Sequence, residues 1–384
     1  MHLSERGLNP PVSGIRAMFE LAREYDNVIN LCIGEPGFPT PPNVIGAGRD
    51  ALYKGYTKYT PNAGIPGLRE ALSQKLLREN KIQADPETEI IVTAGGVEAV
   101  LLAMMVTVNP GDEVLVPIPS WPNYPEQIKF VGGTMVPVPA YEKDGFVPTK
   151  ENIEERITEK TKVLVLNSPN NPTGGVISRG EMEEICKLVR KHDLTIISDE
   201  PYERLLYDGA EHVSPASLPN MKEHVITVNT FSKTFAMSGW RVGYASGPKQ
   251  AIGAMVQIIE QVTSSVNAAA QYACIEALNH TEKAIQKMVK GYQRNRDILV
   301  EGLNGCKNVS CRCPLGAFYA FPNIQDTGLT SAQLAADIVK EVQVVTTPGP
   351  AFGIYGEGYL RLSYASSETE IREAVKRLQQ YFNR

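Results

Sequence analysis

The sequence has no apolar run long enough to cross a bilayer. Its longest, Ala99 to Val108, is interrupted only by Thr107 and is about half the length a membrane helix needs. The opening residues, Met1-His2-Leu3-Ser4-Glu5-Arg6, lack the apolar core of a signal peptide. Cysteine and histidine are scarce, six and five in 384 residues. No two cysteines are spaced CxxC and the histidines do not cluster, so no metal centre is expected. Cys311-Arg312-Cys313 reads as a redox pair or as alternating strand positions. The second reading is preferred here, with reduced thiols and a cytoplasmic protein. Basic excess is absent too: the net charge is −5 and the pI near 5.7, which argues against a nucleic-acid partner. Repeats, low-complexity stretches and long charge runs are missing.

What remains is an ordinary globular composition, long enough for one large core and a smaller second one. Residues 14–26 place Ile15, Met18, Phe19 and Leu21 near helical spacing. From about residue 88 strands alternate with helices. Glu89–Thr93, Asp112–Pro119, Lys162–Leu166, Leu194–Asp199 and Val225–Asn229 read as strands, and the fully apolar ones suit a sheet covered on both faces. Helices are expected at about 98–108, 178–191 and 282–304, and Arg241–Ala245 as a further strand. Beyond residue 304 the pattern becomes α+β: strands at Ala317–Phe321, Val344–Thr347 and Tyr359–Tyr364, with helices at Ser331–Val342 and about 368–382.

Several strand ends carry residues with chemistry. Asn229-Thr230-Phe231-Ser232-Lys233 brings hydroxyls and one lysine to the end of a strand, and Arg241 follows eight positions later. Hydroxyls and an arginine suit a phosphate dianion, and a held lysine amine can bond a carbonyl; together they suggest pyridoxal phosphate. Alone, the lysine reads as well as a surface residue. Gly95-Gly96-Val97 opens a helix, where free N–H groups and the dipole favour an anion. Trp121, one of two tryptophans, follows a strand, as a stacking residue or a core one. Asn167–Gly174, dense in Asn, Pro and Gly, fixes a rigid turn that can aim an Asn amide; the isomer of Asn171-Pro172 stays open. Asp199 ends a buried strand and needs a partner, such as a protonated ring nitrogen, unless it caps the next turn. Tyr202 is three residues on. Arg361 in an apolar strand wants a bidentate anion, from a structural ion pair or from a substrate. Gly34 and Tyr59 lie in Gly- and Pro-rich loops near the N-terminus.

In this order and spacing, Asn170-Asn171-Pro172-Thr173-Gly174, Ser198-Asp199-Glu200-Pro201-Tyr202, Ser232-Lys233 with Arg241, and Arg361-Leu362-Ser363 resemble the class I/II aminotransferases, the aspartate-aminotransferase-like branch of fold-type I pyridoxal-phosphate enzymes. The resemblance covers nearly the whole chain. It implies an α/β fold: a large domain with a mostly parallel sheet covered by helices on both faces, and a smaller α+β domain built from the N- and C-terminal segments. The expected boundaries are 1–45 for the N-terminal segment, 46–285 for the large cofactor domain and 286–384 for the small domain.

Residue by residue, the resemblance implies that Lys233 holds pyridoxal 5'-phosphate as a Schiff base and Asp199 pairs with its ring nitrogen. Tyr202 and Asn171 would bond its 3′-oxygen, and Trp121 would stack on the ring. Thr230, Arg241 and the N–H groups of Gly96 and Val97 would hold the phosphate, with Tyr59 reaching in from the partner of a homodimer. Arg361, Gly34, Trp121 and Asn171 would bind substrate. Amino groups would then pass between an L-amino acid and a 2-oxo acid by ping-pong kinetics, with the freed Lys233 amine as general base. In the bacterial aspartate enzymes of this branch a lysine often stands where this chain has Val97. That weakens the expectation of strict aspartate use and opens neutral, aromatic or alanine donors; Lys58 and Arg16 remain possible contributors. The alternatives are a C–S lyase or elimination synthase on the same fold, which shares nearly all cofactor contacts, and aspartate aminotransferase proper.

Overall fold

A computed structural model of the chain describes residues 1–8 and 14–384; the side chains of residues 5, 6, 15–17 and 19 lie outside that description. Ile15, Phe19 and Arg16, named above, are among them. The expected first helix forms its backbone over Gly14–Ala22.

Twelve strands are described: β1 (Ile29–Asn30), β2 (Ile90–Thr93), β3 (Glu113–Ile118), β4 (Thr134–Pro139), β5 (Thr161–Asn167), β6 (Thr195–Asp199), β7 (Val225–Thr230), β8 (Gly243–Ser246), β9 (Tyr319–Ala320), β10 (Val344–Val345), β11 (Thr347–Pro348) and β12 (Leu360–Ser363). Seven of them form one sheet in the order β2-β8-β7-β6-β5-β3-β4. It is parallel except for β8, which runs against both neighbours.

The apolar runs explain why both faces are covered. In β5, Val163 and Val165 point into a core with Leu102 and Ala103 of helix Gly96–Thr107 and Met255 of helix Lys249–Val262. Leu164 and Leu166 point the other way, against Ile185 and Leu188 of helix Arg179–Lys191. A period of two puts alternate side chains on opposite faces, and each fully buried aliphatic contributes about 1.5–3 kcal/mol.

A second core joins the two ends of the chain. Met18, Ile29 and Leu31 pack with Leu334, Ile338, Ile371 and Leu378. β1 pairs with β10 in parallel, and β11-β12-β9 form a small antiparallel sheet. Helices Ser331–Val342 and Glu368–Phe382 start in capping boxes, Thr330 with Gln333 and Ser367 with Glu370. Tyr202, Leu205 and Tyr207, just past β6, also belong to this second core. The turn after β6 is therefore gripped by both cores. No described helix is long and apolar enough to cross a membrane.

Four expectations change in detail. Cys311-Arg312-Cys313 is not a strand; an isolated bridge at Ser310 precedes irregular chain. All six cysteines are free, five of them buried and Cys313 exposed. The Ala317–Phe321 strand shrinks to β9, because Ala317 has φ +59° and Pro322 has no N–H for the ladder. Val344–Thr347 splits at Thr346 into β10 and β11. Arg241 lies outside β8, held at φ +56°, a left-handed conformation that turns its side chain toward the neighbouring helix start.

Candidate active site

The carboxyl ends of β2, β3, β5, β6 and β7 share one edge of the sheet, where open α/β sheets place their ligands. Because β8 is antiparallel, the Arg241 turn before it reaches the same edge. A cavity of about 330 Å³ opens there, roofed by Cys32-Ile33-Gly34 and by Tyr319 and Arg361 of the second core. Of the twelve candidate residues in this chain, all but Tyr59 line it. Tyr59 is 91% exposed, and Lys58 is exposed as well and does not line the cavity.

One end of the cavity is built for an anion. Gly96 is the first residue of helix Gly96–Thr107 and Gly95 has φ +87°. A Cβ at Gly95 would sit 2.4 Å from Nη2 of Arg241, so glycine lets the guanidinium approach the helix start. Arg241 Nη1 donates to the Ser238 carbonyl at 2.8 Å. Thr230 lines the same end, its Oγ1 2.9 Å from Ser232 Oγ. A guanidinium, two hydroxyls and a helix N-terminus form a phosphate-type donor set.

In the middle, Asp199 is buried with Tyr124 Oη donating to its Oδ2 at 2.5 Å. Among the described residues this is the one hydrogen bond to its carboxylate. Burial pushes the Asp199 carboxyl up to about 7; the Tyr124 bond and the Lys233 charge oppose the rise, and Glu200 adds to it. Such a carboxylate is under-compensated and suits a cationic partner. Trp121 flanks the space, edge-on to Tyr124 with centroids 5.3 Å apart. Asn167 ties the strand ends together, donating from Nδ2 to the Asp199 carbonyl at 2.9 Å and accepting from the Asn171 N–H at 2.9 Å.

Lys233 extends from the turn after β7, and its Nζ donates to the Gly34 carbonyl at 2.5 Å. Burial first, then the charge of Arg361, lowers this amine to about 8. About a tenth is then the free nucleophile at pH 7.

At the far end Arg361 is buried between the rings of Tyr319 and Phe352, 4.6 and 4.7 Å from their centroids. Nη1 donates to Asn171 Oδ1 at 3.0 Å, Nη2 donates to the Cys32 carbonyl, and Nε has no partner. No carboxylate neutralises it among the described residues, which leaves a desolvated fork for an incoming one. Tyr202 Oη is 3.0 Å from Tyr319 Oη, so a phenol pair connects this end to the Asp199 turn. Asn171-Pro172 is cis.

Tyr124, Tyr319 and Asn167 carry roles that the sequence reading does not assign them. Tyr124 stands three residues after Trp121, close to the start of helix Asn123–Phe130, and that spacing was the available signal. Tyr319 was visible as the hydroxyl-bearing residue of an apolar strand.

Comparison with known proteins agrees with this geometry. The family model for aminotransferase class I and II matches residues 26–378. The chain is 43% identical to an aspartate aminotransferase of Pyrococcus abyssi, covering 97% of this chain and 95% of the relative. It is 41% identical to an aromatic-amino-acid aminotransferase 2 of Thermococcus litoralis, over 99% and 98%, and 44% identical to an aspartate/prephenate aminotransferase of Thermus thermophilus, over 95% and 94%. Among solved structures, the Thermus thermophilus aspartate aminotransferase with maleate superposes with a TM-score of 0.93 at 42% identity, covering 99% of both chains. The aromatic aminotransferase of Pyrococcus horikoshii gives 0.92 at 42% identity, over 95% and 98%.

Proposed function

The chain belongs to the class I and II aminotransferases, and from that premise we propose how its residues divide the work of a pyridoxal-phosphate-dependent amino-group transfer between an amino acid and a 2-oxo acid. The observation that carries the assignment is one cavity holding a depressed lysine, an under-compensated buried aspartate and an unneutralised buried arginine. These three fit the cofactor and its substrate. The Gly96 and Val97 amides, Thr230 and Arg241 would hold the phosphate, Asp199 the ring nitrogen, Tyr202 and Asn171 the ring oxygen, and Trp121 the ring face. Bound there, pyridoxal phosphate supplies a carbonyl that bonds amines and a ring that withdraws electrons from the substrate Cα–H bond.

The chain's own groups do the rest. Arg361 grips the substrate α-carboxylate as a fork, with Asn171 fixing its orientation and Gly34 beside it. Tyr124 and Asp199 hold a negative charge against the ring nitrogen. Lys233 Nζ takes the proton from Cα and delivers it across the same face, and its lowered proton affinity suits a base near neutral pH. Tyr319 and Arg361 of the second core roof the cavity above that amine.

For the donor, we propose neutral and aromatic amino acids ahead of strict aspartate. Val97 presents an isopropyl group at the helix start, and Ile33 and Trp121 add apolar surface. Aspartate is the second reading, favoured by the aspartate aminotransferases among the relatives. A screen of amino acids against the loaded protein, reading loss of the cofactor's visible band together with 2-oxo acid release, ranks the donors. Aspartate far ahead of phenylalanine and alanine would overturn this preference.

We further propose a cytoplasmic homodimer, with Tyr59 of each subunit completing the other's phosphate site. The near-full exposure of Tyr59, away from the cavity of its own chain, supports the homodimer. A stable, active monomer on sizing would contradict it. The domain boundaries at 45 and 285 are part of the same proposal, supported by the separate cores.

A further inference from the structure

Beneath the turn that carries Asp199 and Tyr202 lies a group of buried charges that the reaction described above does not use. Lys75, at the end of helix Pro66–Lys75, is 1% exposed. Its Nζ pairs with Glu203 and donates to Asn80 Oδ1 at 2.8 Å. Asn80 Nδ2 donates to Glu203 Oε2 at 2.5 Å and to Glu200 Oε2 at 3.1 Å. Glu200 also accepts from Ser198 Oγ at 2.7 Å and Ser214 Oγ at 2.7 Å, and its Oε2 lies 2.9 Å from His212 Nε2.

Glu200 follows Asp199 directly, and the pleat sends the two carboxylates to opposite faces of the sheet. Ser198 and Glu200 share the lower face, and Asp199 points into the cavity. Charged groups reach His212 from two elements: Glu200 and Glu203 from the turn and Lys75 from the helix. With His212 protonated the two cations and two carboxylates balance. Glu200, Glu203 and His212 come close enough together to hold a metal ion, but Lys75 Nζ already pairs with Glu203 and His212 with Glu200, and the cluster is read here as an ion network. Tyr244 of β8 covers it from the sheet side, its ring centroid 5.9 Å from Lys75 Nζ.

Stability alone gives little reason for such a network. Burying four charges costs several kcal/mol per ion, and a matched apolar cluster is often as stable. Its position suggests another use. We propose that the Lys75–Asn80–Glu203–Glu200–His212 network is a positioning device for Asp199: it clamps the Asp199–Tyr202 turn from below and sets the charge state of Asp199, Glu200 disfavouring its ionised form and protonated His212 favouring it.

Two further directions agree with the geometry. Burial would raise Glu200, but His212, Ser214 and Ser198 outweigh it and keep this carboxyl below its ordinary value. Burial would lower His212, but Glu200 and Glu203 outweigh it and raise the imidazole. Both directions favour the charged forms of Glu200 and His212, and the Glu200 charge acts on Asp199 through the strand.

This inference rests on the reading of Asp199 as the ring-nitrogen partner, and the test separates the two. Asp199 is followed by carboxyl NMR in cofactor-free protein labelled with 13C-aspartate. A carboxyl titrating near 7 stands clear of ordinary aspartates. In Glu200→Gln the midpoint is expected to fall by about 1 unit, since a like charge is removed. In His212→Gln it is expected to rise, since a cation is removed. Five histidines are few enough to resolve, and the 15N signal of His212 is expected to be that of imidazolium at neutral pH.

An Asp199 midpoint unmoved in both folded variants overturns the proposal, as does a neutral His212 in the wild type. If Glu200→Gln does not fold, His212→Gln carries the test alone. A purely structural network would lower the melting temperature and leave the Asp199 midpoint in place. If Asp199→Asn leaves cofactor affinity and kcat at wild-type values, the reading of Asp199 itself fails, whatever the network variants do.

Discussion

Tyr124→Phe removes one oxygen and one hydrogen bond, and its effect can be worked out from the site. The phenol is fully buried and donates to Asp199 Oδ2 at 2.5 Å. Hydrogen bonds to charged groups contribute about 1.5–3 kcal/mol, and one pKa unit is about 1.4 kcal/mol. Losing this bond therefore raises Asp199 by about 1–2 units, from about 7. Near pH 7 the charged fraction falls from about half to between about a tenth and a hundredth. The cofactor's ring nitrogen needs the charged form, so cofactor affinity near pH 7 drops about 5–50-fold. Near pH 9.5 both proteins hold Asp199 mostly charged, and the defect shrinks to about 2-fold or less. Equilibrium dialysis of pyridoxal phosphate at the two pH values measures it. An equal defect at both would mean lost packing instead of lost charge. No defect near neutral pH would refute the role of Tyr124 outright.

Three more tests follow from the same geometry. Arg361→Lys keeps a cation but loses the planar fork between Tyr319 and Phe352, and is expected to lower kcat/KM for amino donors about 100-fold; steady-state kinetics with unchanged values would contradict the carboxylate site. Asp199 also makes a stability prediction. Its folded value near 7 lies above the ordinary 3.8, so the cofactor-free fold is favoured below about pH 4 and loses that stability as pH rises through about 7. Cofactor-free Asp199→Asn should melt above the wild type at pH 8, with the gap closing toward pH 4; a gap independent of pH would refute the assignment. Lys233, lowered to about 8, should take up cofactor at a rate that climbs with pH and levels off above about 8. A rate still climbing at pH 10 would show an ordinary surface amine.

Much of this site was legible in the sequence because the chemistry sits at strand ends. Asp199, Asn171 and Lys233 each follow an apolar run, so strand periodicity alone brings them to one edge. The long helices Glu282–Asn304, Ser331–Val342 and Glu368–Phe382 lie where the sequence reading expects them. Residues whose roles depend on a partner far along the chain were harder. Tyr124 matters because helix Asn123–Phe130 aims its phenol at a residue 75 positions later. Tyr319 matters through Arg361 and Tyr202. The left-handed turn at Arg241 looked like the start of a strand, since nothing local marks the guanidinium's approach to Gly95. The Cys311–Cys313 stretch alternated like a strand but lacks a partner strand beyond one bridge. Lys75 and His212 gave no local signal, because their meaning lies in Glu200 and Glu203.

The central claim is that Lys233, among all the lysines, is the one that bonds the cofactor. Borohydride reduction of the pyridoxal-phosphate-loaded protein, followed by peptide mass mapping, tests it without reference to turnover. The pyridoxyl mass is predicted on the peptide containing Ser232-Lys233-Thr234. Finding it on another lysine, with Lys233 unmodified, would contradict the account.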